Sequence, residues 1–308
     1  MLLSSVRNHV FSLVIALVLP ILTSSMVDSA PPATNTQFRR SFKPDADLFL
    51  SSWKDTRPRK LYGSFQVWDI LTKLEGTPLS PRKKGAVLTD LNAVRYAILK
   101  PAGSTRPMEL TDCQYILYIT AGQGMIMTED REAELVDGIG VIVPPDIEFT
   151  LMNTGNLPMS MYIIEEPIPE DFDPRDEIVV RYEYDNQIST NVNRVDSSQW
   201  LFSIEDGMST LVSFNPVMYE PNSLVPPHVH DPGIEEVWIS INGDVQMMVG
   251  NQVRKFSPGS AYKVPADGRT PHANINKSDT SKKLLWMMKV PLVRVPRSEK
   301  PKSRDGVI

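Results

Sequence analysis

The 308-residue chain has one cysteine, four histidines, a net charge of −5 and no apolar stretch long enough to cross a bilayer. Each scarcity excludes something. With the single thiol Cys113, no disulfide can form inside the chain, and the residues upstream of it lack the context of a lipid-anchored cysteine. An acidic balance without a basic-aromatic stripe argues against nucleic acid as a partner. The apolar run 10–22 is shorter than the about 20 residues a membrane-spanning helix needs, so no transmembrane anchor is expected. No strong amphipathic helix pattern occurs either. The 26 prolines, spread along the chain, suit many short strands and turns and would disrupt a helical bundle.

What is present begins with a leader. Arg7 and His9 precede the apolar run, Thr23-Ser24-Ser25 follows it, and Val27 and Ser29 supply small residues for cleavage before Ala30. Residues 1–29 therefore read as an export signal, which implies a periplasmic or secreted protein. Losing Arg7 and Asp28 with it leaves the charge balance unchanged. Residues 30–60, polar and rich in Pro, Arg and Lys, read as an N-terminal arm.

Beyond the arm, Phe65-Gln66-Val67-Trp68-Asp69-Ile70 alternates as a strand does. Short apolar runs follow at 94–99, 115–119, 124–128, 140–143, 149–152 and 161–164, punctuated by Gly, Pro, Asn and Asp. A second series lies at 200–204, 210–214, 236–241, 245–249, 261–264, 272–275 and 284–290. This rhythm predicts an all-β fold of sandwich or barrel type. The two series repeat one order of strands, glycine turns and proline or asparagine ends. An internal duplication is the natural explanation, with halves at 61–166 and 190–292, a linker at 167–189 in which 178–183 could form a strand, and a polar tail at 293–308.

Three histidines remain outside the leader. His228 and His230 lie in Pro226-Pro227-His228-Val229-His230, and His272 lies in Thr270-Pro271-His272-Ala273-Asn274. Two residues apart on a strand, His228 and His230 share a face, and Glu236 opens the following strand. Neutral imidazoles with one carboxylate suit a single divalent transition metal: Fe, Mn, Ni, Cu or Zn. Glu235 competes for the carboxylate place, and because adjacent strand residues face opposite ways only one of the two can serve. The six residues that separate Glu236 from Gly243 favour Glu236, since strand and hairpin set that distance.

These residues resemble the two motifs of the cupin superfamily. The first appears as His228-Val229-His230, Glu236 and Gly243, and the second as Gly259, Pro265, Gly268, His272 and Asn276, with small insertions after His230 and between Pro265 and His272. The resemblance covers residues 225–276 and implies two tandem cupin barrels (double-stranded β-helix, jelly-roll) in an exported bicupin whose C-terminal domain holds the metal. It further implies a small-molecule substrate or ligand and a possible homo-oligomer. Cupins include dioxygenases, oxalate decarboxylases, isomerases, lyases and binding or storage proteins. The expected function is a metal-dependent, dioxygenase-like oxidoreductase acting on a small oxygenated organic molecule. The alternatives are an isomerase or lyase on a sugar or organic acid, or a non-catalytic metal-binding, sugar-binding or assembly protein.

Aligned by its own glycines and prolines, the first half places Glu109 and Thr111 at the histidine pair, Tyr115 at the glutamate and Phe149 at the last histidine, with Asn153 retained. It reads as a barrel that has lost its ligands; a hard-ion site of Glu109, Asp112 and Tyr115 is the minor alternative. Around the second site, Asn274, Arg269 and Glu235 are candidates for substrate orientation, anion binding and proton transfer. Trp238 shares the face of Glu236, where it either walls the pocket or packs the core, and Tyr262 and Met247 are expected to pack the barrel interior.

Overall fold

Alternate residues along the strand Glu235–Ser240 face two different cores, and this division organises the molecule. Glu236 and Trp238 point into the second barrel, while Val237 and Ile239 join a hydrophobic layer shared with the first. The computed structural model describes residues 44–186, 188–190 and 196–291. The expected leader at 1–29, the arm before residue 44 and the tail from 293 lie outside the described residues.

The first barrel pairs a large antiparallel sheet with a small one. The large sheet runs Val179–Tyr182, Ile139–Val143, Cys113–Ala121, Met159–Pro167, Ala93–Leu99, Phe65–Lys73 and Arg59–Leu61. Facing it are Glu132–Val136, Gln123–Met127 and Thr150–Asn153. Inward residues such as Val67, Leu117, Ile126, Leu151 and Met161 fill the space between. The second barrel repeats the plan. Its large sheet runs Leu50–Ser52, Ser260–Val264, Glu235–Ser240, Lys282–Lys289, Ser213–Tyr219, Asp196–Gln199 and Ile188–Thr190. Its small sheet runs Ser223–Leu224, His272–Asn276, Val245–Val249 and Gln252–Phe256. The outer faces of the two large sheets meet in the shared layer, where Ile116, Tyr118 and Ile164 pack with Phe214, Val237 and Met287.

Each barrel also receives a strand from the segment that precedes the other. Leu50–Ser52, which the sequence assigns to an arm, pairs with Ser260–Val264 of the second barrel. Ahead of it, Ala46 and Phe49 of a short helix are buried, and Asp47 Oδ1 lies 2.6 Å from Arg254 Nε. Reciprocally, Val179–Tyr182 in the linker pairs with Ile139–Val143 of the first barrel. These additions cover sheet edges that would otherwise present unpaired backbone groups.

Several local expectations need correction. Of the strand expected at 200–204, only Phe202–Ser203 pairs, and a turn at Ile204–Asp206 follows, ended by Gly207 at φ 106°. The next strand is Ser213–Tyr219, well beyond the expected 210–214, because Pro216 is accommodated within it. Glu132–Val136 and Gln252–Phe256 were not anticipated. Both are charged edge strands whose exposed faces hide the apolar signal.

Candidate metal centre

His228 and His272 come from distant segments and meet as a backbone bridge, with His228 N donating to His272 O at 3.2 Å and His272 N donating to His228 O at 3.0 Å. His230 follows two residues after His228, and Glu236 enters from the large sheet, at the start of the strand Glu235–Ser240. The ring centroids of the three imidazoles lie 4.2 to 5.1 Å apart. One nitrogen from each histidine and one Glu236 oxygen all lie within 4.8 Å of one another.

Two loops close around this cluster. Asp267 accepts from the backbone N–H groups of Arg269 at 3.0 Å and Thr270 at 2.8 Å, which fixes the turn leading into His272. Gly268 adopts φ 70°, and a Cβ there would collide with Pro232 of the loop after His230. Gly233 N in turn donates to Ala266 O at 3.0 Å. The insertions noted in the sequence therefore pack against each other beside the site.

The electrostatics favour the ligand forms of these groups. His228 Nδ1 lies 3.0 Å from the Pro226 carbonyl oxygen, which assigns the ring proton to Nδ1 and leaves Nε2 available. Burial pushes the His228 imidazole below its ordinary pKa, toward the neutral form. Burial alone would raise the Glu236 carboxyl, but contacts with the imidazoles of His230 and His272 outweigh it and hold the group well below the usual carboxylate range. Glu236 Oε2 lies 3.2 Å from His272 Nε2, and both atoms are buried without a well-formed hydrogen bond to any described residue. These atoms of His272 and Glu236, together with the imidazoles of His228 and His230 that converge on them, fit a divalent transition metal.

Residues 216–288 match the family model of the cupin domain. The second barrel is a cupin domain. The fold as a whole is that of a two-barrel cupin, as solved structures indicate. A candidate glyoxylate-induced protein of Pseudomonas aeruginosa superposes with a TM-score of 0.64 at 16% identity, over 80% of this chain and 89% of that one. The formate complex of Lactobacillus farciminis oxalate decarboxylase gives 0.60 at 13% identity, over 79% and 86%. Bacillus subtilis oxalate decarboxylase, in a structure concerned with its Mn(II) centres, gives 0.61 at 12% identity, over 82% and 80%. At such identities the likeness is one of fold. No curated protein matches the chain in sequence. Among the described residues, no helix is long and apolar enough to cross a membrane.

The remaining candidates around the cupin site take other places. Glu235 lies on the opposite face of its strand, buried between the barrels. Its Oε2 is 2.9 Å from Lys263 Nζ and accepts from Thr89 N at 2.7 Å. That position removes it both as a metal ligand and as a proton-transfer group. The Arg269 side chain is exposed in its loop, with no hydrogen bond or ion pair to the described residues. Asn274 does face the interior, but Tyr262 OH donates to its Oδ1 at 3.1 Å and its Nδ2 lies 3.5 Å from Tyr219 OH. Asn276 closes the end of its strand, with Nδ2 donating to the carbonyls of Tyr219 and Thr280 at 3.1 and 2.9 Å. Asn153 does the same in the first barrel, donating to Leu99 O at 2.9 Å and Leu157 O at 2.8 Å.

The first barrel corrects the alignment of its lost ligands. Met108 and Phe149 form the same reciprocal backbone bridge as His228 and His272, with N–H···O distances of 2.9 and 2.8 Å. Met108 and Leu110 therefore occupy the places of the histidine pair, and both are buried. Glu109 and Thr111 lie one residue out of step and are exposed, as is Asp112, so the hard-ion alternative does not assemble. The error came from counting through a loop. The alternation of burial identifies the inward pair. Sequence reasoning missed Trp286 and the bonds that the indoles of Trp238 and Trp286 make to the carboxylate, both donating to Glu236 Oε1, the latter at 3.1 Å. Trp238 had the right face, but Trp286 is brought in by cross-strand register.

Proposed function

We propose that the C-terminal cupin domain holds one divalent transition metal ion through His228, His230, Glu236 and His272, and that the protein is a metal-dependent, dioxygenase-like oxidoreductase acting on a small oxygenated organic molecule. The observation that carries this reading is the convergence of four potential ligand atoms within 4.8 Å at a site where two of the residues are buried and two reach solvent. A bound ion there would supply Lewis acidity toward substrate oxygens and, if Fe or Mn, redox capacity toward O₂.

The chain's own residues define the rest. His230 keeps a side-chain exposure of 22% beside Glu236 at 2%, so access runs from the His228–His230 side. The acid-base candidates read from the sequence are held elsewhere or otherwise committed. Glu235 is bound to Lys263, Asn274 is bonded to tyrosines, and burial raises the Tyr262 hydroxyl pKa well above its ordinary value. Isomerisation by proton transfer needs such a group, whereas redox chemistry on a chelated substrate does not. A second reading, a lyase releasing CO₂ from a small dicarboxylate, draws support from the oxalate decarboxylases among the structural neighbours. Export rests on the leader read from residues 1–29.

The test is to purify the protein, load Fe or Mn, and screen small organic acids and catechols for O₂ uptake and CO₂ release. Metal-dependent O₂ uptake supports the oxidoreductase. Release of CO₂ without net O₂ consumption replaces it with the lyase. Neither activity, with metal bound, leaves a binding protein.

A further inference from the structure

Glu236 is held from behind by two tryptophans. The strand Glu235–Ser240 runs beside Lys282–Lys289 with Trp238 opposite Trp286 and Glu236 opposite Met288. Trp238 shares the inward face of Glu236 because it is two residues further along, and Trp286 reaches the carboxylate diagonally across the pair. Both indole N–H groups donate to the same oxygen, Oε1, with 3.1 Å from Trp286. The rings are tilted by 40° with centroids 6.3 Å apart, and Trp238 is 5% exposed. An indole N–H is a donor only, so two of them commit Oε1 to the protein. The other oxygen, Oε2, faces the imidazoles, 3.2 Å from His272 Nε2.

We propose that Trp238 and Trp286 are positioning residues that restrict Glu236 to binding the metal through Oε2 alone. This rests on the ligand set proposed above. A carboxylate free to rotate could chelate the ion with both oxygens, occupying a further coordination position and donating more charge. Two donors on Oε1 block that swing and draw charge away from Oε2, which keeps a position free and the ion more electrophilic. Packing alone would need neither N–H directed at the carboxylate, since a phenyl ring fills similar space.

The experiment uses the variants Trp238→Phe, Trp286→Phe and their double, which keep an aromatic ring and remove the N–H. Trp200→Phe, at an exposed loop position, serves as the control. Each protein is loaded with Co²⁺, and affinity is measured by chelator competition alongside the visible absorption spectrum. Each single variant is expected to bind about 10–100-fold more weakly, the range found for removal of groups that support a metal ligand, because the lost orientation of Glu236 outweighs any bond gained by its second oxygen. The visible bands should weaken as the freed carboxylate raises the coordination number, while Trp200→Phe matches the wild type. A double variant with wild-type affinity and spectrum overturns the clamp alone. A wild type that fails to bind Co²⁺ overturns the ligand set and the clamp with it. Should the variants fail to fold, the infrared carboxylate bands of the wild type decide. A wide splitting on metal binding supports single-oxygen ligation, and a narrow, chelate-like splitting overturns it.

Discussion

Glu235 and Glu236 are adjacent in the chain and bind on opposite sides of one strand, Glu236 against the imidazoles of the second barrel and Glu235 against Lys263 and the Thr89–Leu91 backbone of the first. The candidate metal centre and the joint between the barrels are thus built from neighbouring residues. The joint has a counterpart on the first barrel. Glu166 accepts from Thr210 N at 2.9 Å and Leu211 N at 2.7 Å, so each barrel inserts one carboxylate into a loop of the other.

Glu235→Ala would leave the Lys263 ammonium, 1% exposed, buried without its carboxylate. The expected loss is about 3–5 kcal/mol of stability, measured by urea unfolding. Pairing it with Lys263→Met should restore much of that loss, because the unpaired charge is then gone. A simple sum of the two single losses would contradict the arrangement.

Gly259→Ala tests the docking of the N-terminal segment. Gly259 has φ 83°, its carbonyl accepts from Trp53 N at 3.1 Å, and a Cβ there would run into the Trp53 indole. Backbone strain alone should lower stability by about 1–3 kcal/mol, with faster proteolysis before residue 53. An unchanged melting temperature and cleavage rate would show that this contact is unimportant.

The corrected register of the first barrel separates two neighbours. Leu110→Ala removes a buried side chain, 4% exposed, and should cost about 2–5 kcal/mol. Glu109→Ala and Thr111→Ala lie on the outside and should stay within about 0.5 kcal/mol of wild type, with metal content unaltered. Thermal unfolding and metal analysis of the three proteins check this.

How much of this was legible follows from where the information sits. His228, His230 and His272 stood out by scarcity and spacing, and Glu236 was distinguished from Glu235 by its distance to Gly243, which a strand and hairpin fix. The duplication was legible too, because Asn153 and Asn276 close equivalent strand ends. What failed depended on distant pairing. Leu50–Ser52 crosses to a strand some two hundred positions away, and Trp286 reaches Glu236 only through the pairing of two strands. Glu109 and Thr111 were placed one position beyond Met108 and Leu110 because loop lengths carry no register.

Metal retention should depend on pH through the His228 imidazole. Burial lowers the His228 pKa below its free value of about 6.5, so unfolding takes up protons and apo stability rises with pH across that range. Glu236 stays ionised far below it. Metal should therefore be held at neutral pH and released as acidity protonates His228, at a pH below the free imidazole range. Dialysis across pH 4–8 followed by metal analysis reads this directly, and release only near pH 2–3 would assign control to the carboxylate instead.

The most direct test is the metal content of untagged protein by mass spectrometry, for the wild type and for His228→Ala, Glu236→Gln and His272→Ala, with folding verified by circular dichroism. The account predicts close to one divalent transition metal per wild-type chain and near-complete loss in every folded variant. Equal metal in wild type and variants, or a wild type that retains none after loading, would contradict it.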